Sequence, residues 1–270
     1  MDIKFFDSHC HPQLAAFEAD REDVLARMRE AGVGGVAVGV DLTTSREAVE
    51  LARTHDFLWA AVGLHPNDLP AGGSAKIFDA AAFKELTKNE RVVAIGECGL
   101  DYFRNPDAEK GRQAQLERFR EHVALALEVK KPLVIHCRSS AGTNDAQEDM
   151  LRELGNHSRE LENGSLKAVM HFFTASRDVA ERYLALGCYL SFPCVITFTD
   201  MYDDAVRATP LEKLLVETDS PFAAPASHRG KRNEPVYVES VVRRVAELKN
   251  LPFEEVSARV LRNSQNFFAT

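Results

Sequence analysis

The chain has 270 residues, 45% of them hydrophobic and 27% charged, with a formal net charge of −8. That composition is typical of soluble globular proteins, and a chain of this length can bury its core without disulfides or a structural metal. The acidic balance excludes a protein that coats duplex nucleic acid with a basic face. A nucleic-acid enzyme is still allowed, because bound cations can supply positive charge.

The opening MDIKFFDSHCHPQ turns polar too early for a secretory leader, and no apolar run approaches the ~18 residues of a membrane span. The five cysteines (Cys10, Cys98, Cys137, Cys188 and Cys194) are scattered and mostly embedded in apolar runs. They read as reduced thiols of a cytoplasmic protein.

Short runs rich in Val, Ile and Leu alternate with amphipathic stretches. A strand over 3–7 leads to a helix over 21–30 that stops at Gly32. A strand over 33–40 precedes a helix over 46–53 with Ser45 as its cap. Strands over 58–64 and 92–97 follow, then a long helix over 113–130 with Leu116, Phe119, Val123 and Leu127 along one side. After a strand over 133–137, the polar stretch 144–164 reads as a surface elaboration. Strands over 166–172, 188–192 and 214–219 alternate with a helix over 177–186, which Ser176 caps and Gly187 stops. Helices over 237–249 and 253–263 close the chain. Eight strand candidates rich in Val, Ile and Leu, nearly all separated by helices, predict one (β/α)₈ barrel spanning 1–270. A doubly wound open sheet is the alternative, but His9-Cys10-His11 stands where its Gly-rich phosphate loop would be.

The strand ends carry the chemistry. In a barrel of this kind the catalytic groups project from the C-terminal ends of strands. Strand one ends in Asp7-Ser8-His9-Cys10-His11, so a period of two turns both histidines one way and Cys10 the other. Strand three ends in Gly63-Leu64-His65-Pro66, and strand four in Gly96-Glu97-Cys98-Gly99-Leu100-Asp101. Strands five and six end at His136 and His171, and strand eight at Glu217-Thr218-Asp219-Ser220-Pro221. Any one of these could be structural: a lone His is more often a hydrogen-bonded core residue, and Asp219 could cap a helix. Together, so many ionisable groups at one end of a barrel are costly to bury unless a cation compensates them.

These motifs, with Val134-Ile135-His136-Cys137-Arg138 and Arg229-Gly230-Lys231-Arg232-Asn233-Glu234-Pro235, resemble those of the TatD family of metal-dependent hydrolases, in its order and across nearly the whole chain. The family usually has His-Cys-Phe-Ser/Thr-Gly at the fourth ligand. His171-Phe172-Phe173-Thr174-Ala175 departs from this at the Cys and Gly positions.

The resemblance implies an amidohydrolase-like barrel with two divalent cations, Zn²⁺, Mn²⁺ or Mg²⁺. One would be held by His9, His11, Glu97 and Asp219, the other by Glu97, His136 and His171, with Glu97 bridging. It further implies a phosphodiesterase acting on DNA ends, in the manner of a 3′-5′ exonuclease. Asp219 is the expected activator of water, with Glu97 and His65 beside it as catalytic groups. His65, Arg138, Arg229 and Tyr102 are the expected substrate contacts, Tyr102 or Phe103 by stacking a base. Asp101 is expected to steady a ligand.

A hydrolase of another ester or an amide, including an aminoacyl-tRNA deacylase, is the alternative on the same barrel. A barrel kept only for binding is the third reading. A monomer is the expectation, with DNA ends or a small phosphodiester as its partner and no membrane.

Overall fold

The computed structural model describes residues 1–67, 78–104 and 108–270. Eight parallel strands lie in the order β1 to β8: β1 (Phe5–Cys10), β2 (Val33–Val38), β3 (Leu58–Val62), β4 (Val92–Asp101), β5 (Leu133–Arg138), β6 (Ala168–Met170), β7 (Tyr189–Phe192) and β8 (Leu214–Val216). Crossovers returning over a right-twisted sheet curl it into a barrel. The last seam is closed at the mouth. The Asp219 amide donates to the His9 carbonyl and the His11 amide to the Ser220 carbonyl, each at 2.9 Å. Between them, the buried Asp7 carboxylate accepts the Thr218 amide at 2.9 Å and its hydroxyl at 2.5 Å.

The helices are α1 (Arg21–Ala31), α2 (Leu42–Thr54), α3 (Ala80–Leu86), α4 (Ala108–Val129), α5 (Asp145–Gly155), α6 (Ser158–Glu162), α7 (Arg177–Ala185), α8 (Asp203–Ala208), α9 (Val238–Lys249) and α10 (Phe253–Phe268). Two cores result, as a filled barrel requires. One lies between strands and helices and contains Leu58, Ile95, Phe119 and Val242. The other fills the barrel with Phe6, Val36, Ala61, Val134, Val169 and Leu215, and is floored by Phe267 and Phe268.

Several boundaries differ from the expectation for local reasons. Helix α2 begins earlier than predicted, because Asp41 caps it: its Oδ1 accepts the Thr44 amide at 2.7 Å in a reciprocal capping box. Ser45 lies inside the helix, and its hydroxyl accepts the Gly63 amide at 3.3 Å. Ser176 does cap α7, accepting the Val179 amide. The 144–164 stretch is the crossover itself, folded as α5 and α6. Helix α10 runs past 263 because Phe267 and Phe268 gain a place on the barrel floor.

Helix α4 grips the loop after β3. The buried His122 donates from Nδ1 to the Arg118 carbonyl at 2.7 Å and accepts the Leu64 amide at Nε2, 3.0 Å away. That pattern requires a neutral ring, and burial pushes its pKa down to about 4. The unfolded chain takes up this proton near pH ~6.5, the folded chain only near pH 4. The unfolded state therefore holds more protons in that window. Stability falls as pH drops through it, by up to about 3 kcal/mol, and levels off below. We predict that His122→Gln flattens the pH dependence of the urea midpoint across this window. Equal slopes for the variant and the parent protein would show that the folded state already protonates His122.

Candidate metal centre

Two strands deliver their ligand-type residues through bulges. In β1, Asp7 pairs with Gly35 but Cys10 with Ala37, so three residues advance against two. In β4, Ile95 pairs with Leu133 and Cys98 with Ile135, the same one-residue excess. His9 and Glu97 lie in these inserted stretches, where a bulge re-aims a side chain. Glycine allows the close approach beside Glu97: Gly96 and Gly99 have φ of +152° and +133°, and a Cβ on Gly99 would lie 2.0 Å from the His136 carbonyl oxygen. Cys10 turns away, its thiol donating to the Val36 carbonyl.

Glu97 is 3% exposed and sits at the centre of the cluster. Its Oε2 lies 3.4 Å from His9 Nε2 and 3.9 Å from His11 Nε2. Asp219 Oδ1 completes this group, 3.3 Å from His11 Nε2 and 3.7 Å from His9 Nε2. The other oxygen, Oε1, faces His136 Nδ1 at 3.0 Å, His171 Nε2 at 3.0 Å and His65 Nε2 at 3.3 Å. One carboxylate thus has an oxygen in each of two donor groups. Burial pushes the Glu97 carboxyl up, but the charges and hydrogen bonds of His65, His171 and His136 outweigh this and hold it well below the usual carboxylate range.

The outer nitrogens of three rings are already engaged. His11 Nδ1 donates to the Val38 carbonyl at 2.6 Å. His171 Nδ1 donates to Glu217 Oε1 at 3.0 Å, and His136 Nε2 to Asp101 Oδ2 at 3.3 Å. If these rings are neutral, each inner nitrogen is a lone pair aimed at carboxylate oxygen, which is repulsive unless a cation lies between. Three buried imidazolium ions side by side would be costly. The donor set therefore fits divalent cations, and His/carboxylate ligation suits Zn²⁺ or Mn²⁺. His9 Nδ1 is the exception, buried with no hydrogen-bond partner among the described residues; its ring instead stacks on His171 at 3.7 Å.

His65 is held differently. Its Nδ1 accepts the Asn67 amide at 3.0 Å, so the ring proton sits on Nε2 and points at the cluster. Asp101 Oδ2 takes both Asn67 Nδ2, at 2.5 Å, and His136. The buried Gln115 of α4 clamps Asp101 through its amide and its carbonyl.

These groups line a cavity of about 760 Å³ at the barrel mouth, the size of a small-ligand site. Arg138 lines it, with its guanidinium 3.9 Å over the Phe103 ring. Arg229 is exposed and stacks 3.9 Å over Phe198, outside the cavity lining. Tyr102 corrects the expectation of a stacking residue: it is 4% exposed, its hydroxyl donates to Asp149 at 2.8 Å, and Arg112 covers its ring. A tyrosine sealed into the wall cannot meet a base. Sequence reasoning missed Glu217 as the partner of His171, and Arg104, Phe172, Tyr202 and Phe222 as cavity walls. Glu217 left a signal, as an acidic residue two positions before Asp219 at the end of an apolar strand, and so did Phe172, which stands at the family's Cys position.

A parallel barrel with histidines and carboxylates converging at its strand ends is the metallo-hydrolase form of the (β/α)₈ fold. The chain belongs to the TatD family of metal-dependent hydrolases, whose profile, described as TatD related DNase, matches residues 6–269. An uncharacterized metal-dependent hydrolase, YabD of Bacillus subtilis, is 38% identical, the match covering 97% of this chain and 98% of YabD. The 3′-5′ ssDNA/RNA exonuclease TatD of Erwinia tasmaniensis is 32% identical, with 97% and 99% covered. Among solved structures, the TatD homolog YJJV of Escherichia coli superposes with a TM-score of 0.86 at 27% identity, over 100% of both chains.

Because Glu97 touches both donor groups, Glu97→Gln is expected to empty both. Elemental analysis of the purified variant should find neither ion at parental occupancy, and full retention would remove Glu97 as the bridge. Glu217→Gln keeps an acceptor for His171 but drops its charge. It should weaken metal affinity by about 10- to 100-fold, read by competition with a chelating dye.

Proposed function

We propose that this protein hydrolyses phosphodiesters, removing nucleotides from the end of a single-stranded nucleic acid, in the 3′-5′ sense given by the name of its Erwinia relative. The division of the Glu97 oxygens between two donor groups carries the reading. His9, His11, Glu97 and Asp219 would hold one divalent cation, and Glu97, His136 and His171 the other. Such a pair, when bound, neutralises phosphoryl charge, makes a water more acidic and stabilises the leaving oxygen.

The chain's own groups do the rest. Asp219 is the most open of the cluster's carboxylates and lines the cavity, placed to orient the attacking water and take its proton. It adopts a left-handed φ of 55°, and its backbone N–H donates a hydrogen bond to the His9 carbonyl. His65, with its proton fixed on Nε2, is a donor to a phosphoryl or leaving oxygen. Arg104 and Arg138 stand on the same side of the mouth and attract flanking phosphates.

The decisive experiment is cleavage of end-labelled single-stranded DNA by metal-stripped protein, with Mg²⁺, Mn²⁺ or Zn²⁺ restored in turn. Stepwise shortening that depends on added metal is the expected result. Asp219→Asn should fold normally and lose turnover by at least about 100-fold, and a fully active variant would take Asp219 out of the mechanism. No cleavage with the ions demonstrably bound would overturn the phosphodiester reading in favour of another ester or an amide.

A further inference from the structure

The cavity lining divides by strand. Beyond the ligand-type residues and Asp101, the ends of β3 to β5 contribute mainly His65, Asn67, Arg104 and Arg138, polar or cationic, whereas the large side chains from the ends of β6 to β8 are the aromatic Phe172, Tyr202 and Phe222. We infer that this asymmetry sorts the substrate, phosphate to the cationic wall and a flat heteroaromatic ring to the aromatic wall, with Phe172 and Phe222 as the residues that read the ring. The inference rests on the phosphodiester reading above and deepens it.

Phe222 is 52% exposed, and its ring stands 6.1 Å from that of His11 at a steep 71°. Phe172 is half-buried, its ring 6.0 Å from that of His171 at 64°. One phenyl group therefore flanks each half of the cluster. Neither ring belongs to the two apolar cores of the described residues. Core packing does not account for them.

Both residues are also anchored through their backbones. Phe172 has a φ of 47°, a region that bulky residues seldom adopt, and its amide donates to Glu217 Oε1 at 2.7 Å. The same Glu217 oxygen accepts from His171, so the Phe172 backbone and the ligand-type imidazole share one anchor. The Phe222 amide donates to the Asp219 carbonyl at 2.9 Å, and the Phe222 carbonyl accepts from the buried Asn233 at 2.7 Å. A strained backbone held in place beside a reactive cluster is a mark of function. A phenyl face in water next to that cluster offers stacking to any base, irrespective of its identity, but only to a base out of a duplex stack. At the end of β5, Arg138, laid over Phe103, supplies charge without reading a base.

The test compares two substrates with one leaving group: the p-nitrophenyl ester of thymidine 5′-monophosphate and methyl p-nitrophenyl phosphate. Both are assayed with Mn²⁺ on the parent protein, Phe222→Ala, Phe172→Leu and Arg138→Gln, with metal content and thermal melting checked on each. The ratio of kcat/KM for the nucleoside ester to that for the methyl ester should fall about tenfold or more in the two Phe variants. In Arg138→Gln the ratio should stay near that of the parent, because both substrates carry the phosphate. Ratios within twofold of the parent in both Phe variants would overturn the inference.

If the parent protein cleaves neither ester nor end-labelled single-stranded DNA, the phosphodiester reading fails by itself. Ring recognition is then judged by fluorescence anisotropy, with labelled oligothymidylate against an abasic strand of equal length. A preference for the base-bearing strand that Phe222→Ala abolishes supports the inference, and no preference in the parent overturns it.

Discussion

A carboxylate withdrawn from water has to be met by positive charge, and Glu97 is the carboxylate around which this barrel mouth is arranged. It is nearly inaccessible and faces five imidazoles, most of whose protons are committed elsewhere. Hydrogen bonds to Val38, Asp101 and Glu217 draw the outer protons away and leave lone pairs turned inward. The cluster is therefore electrostatically incomplete without a cation. Each outer partner matters as much for the tautomer it imposes as for the position it fixes.

That demand reaches into the fold. Barrel closure between β8 and β1 is made by the backbone of His9, His11, Asp219 and Ser220, so the segments that carry one donor group also shut the barrel. The buried Asp7 carboxylate stitches the same seam through Thr218, and burial raises its pKa to about 8 despite those hydrogen bonds. On the opposite side, α4 sets the second group from behind: Gln115 clamps Asp101, Asp101 holds His136 and Asn67, and Asn67 fixes the proton of His65. Stability and site geometry are written into the same hydrogen bonds, so changes behind the ligands are expected to act on both.

Much of this was legible in the sequence because apolar strands that end in His, Glu or Asp form a strong contrast. All six ligand-type residues named from those ends meet at the mouth, and the strand count follows from the alternation of apolar runs with helices. The bulges at His9 and Glu97 were not legible. A one-residue insertion leaves no mark in a period-two pattern, and it shows only when the partner strand's register is known. Tyr102 illustrates a second limit. Sequence places an aromatic beside a motif but does not say on which side of the wall it falls, and β4 continues past Glu97 and carries Tyr102 inward. Phe222 and Tyr202 take the mouth instead, from loops that look unremarkable as text.

The basic stretch after β8 bears on how an acidic protein meets a polyanion. Arg232 is bound by both oxygens of Asp20 and by Glu234, which also pairs with Arg27, and its guanidinium covers Phe17. That charge anchors the loop carrying Asp219 and Phe222 to α1 and is largely neutralised in doing so. Arg229 faces Phe198, beyond the cavity lining. Among the described residues lining the cavity, then, Arg104 and Arg138 are the guanidinium groups, to which the cations proposed for the Glu97 group would add their charge. On the function proposed above, a substrate phosphate that depended on those cations would be drawn to the loaded mouth rather than to the surface at large. On the same proposal, a chain with a net charge of −8 would act at a strand end without retaining the strand by a basic face.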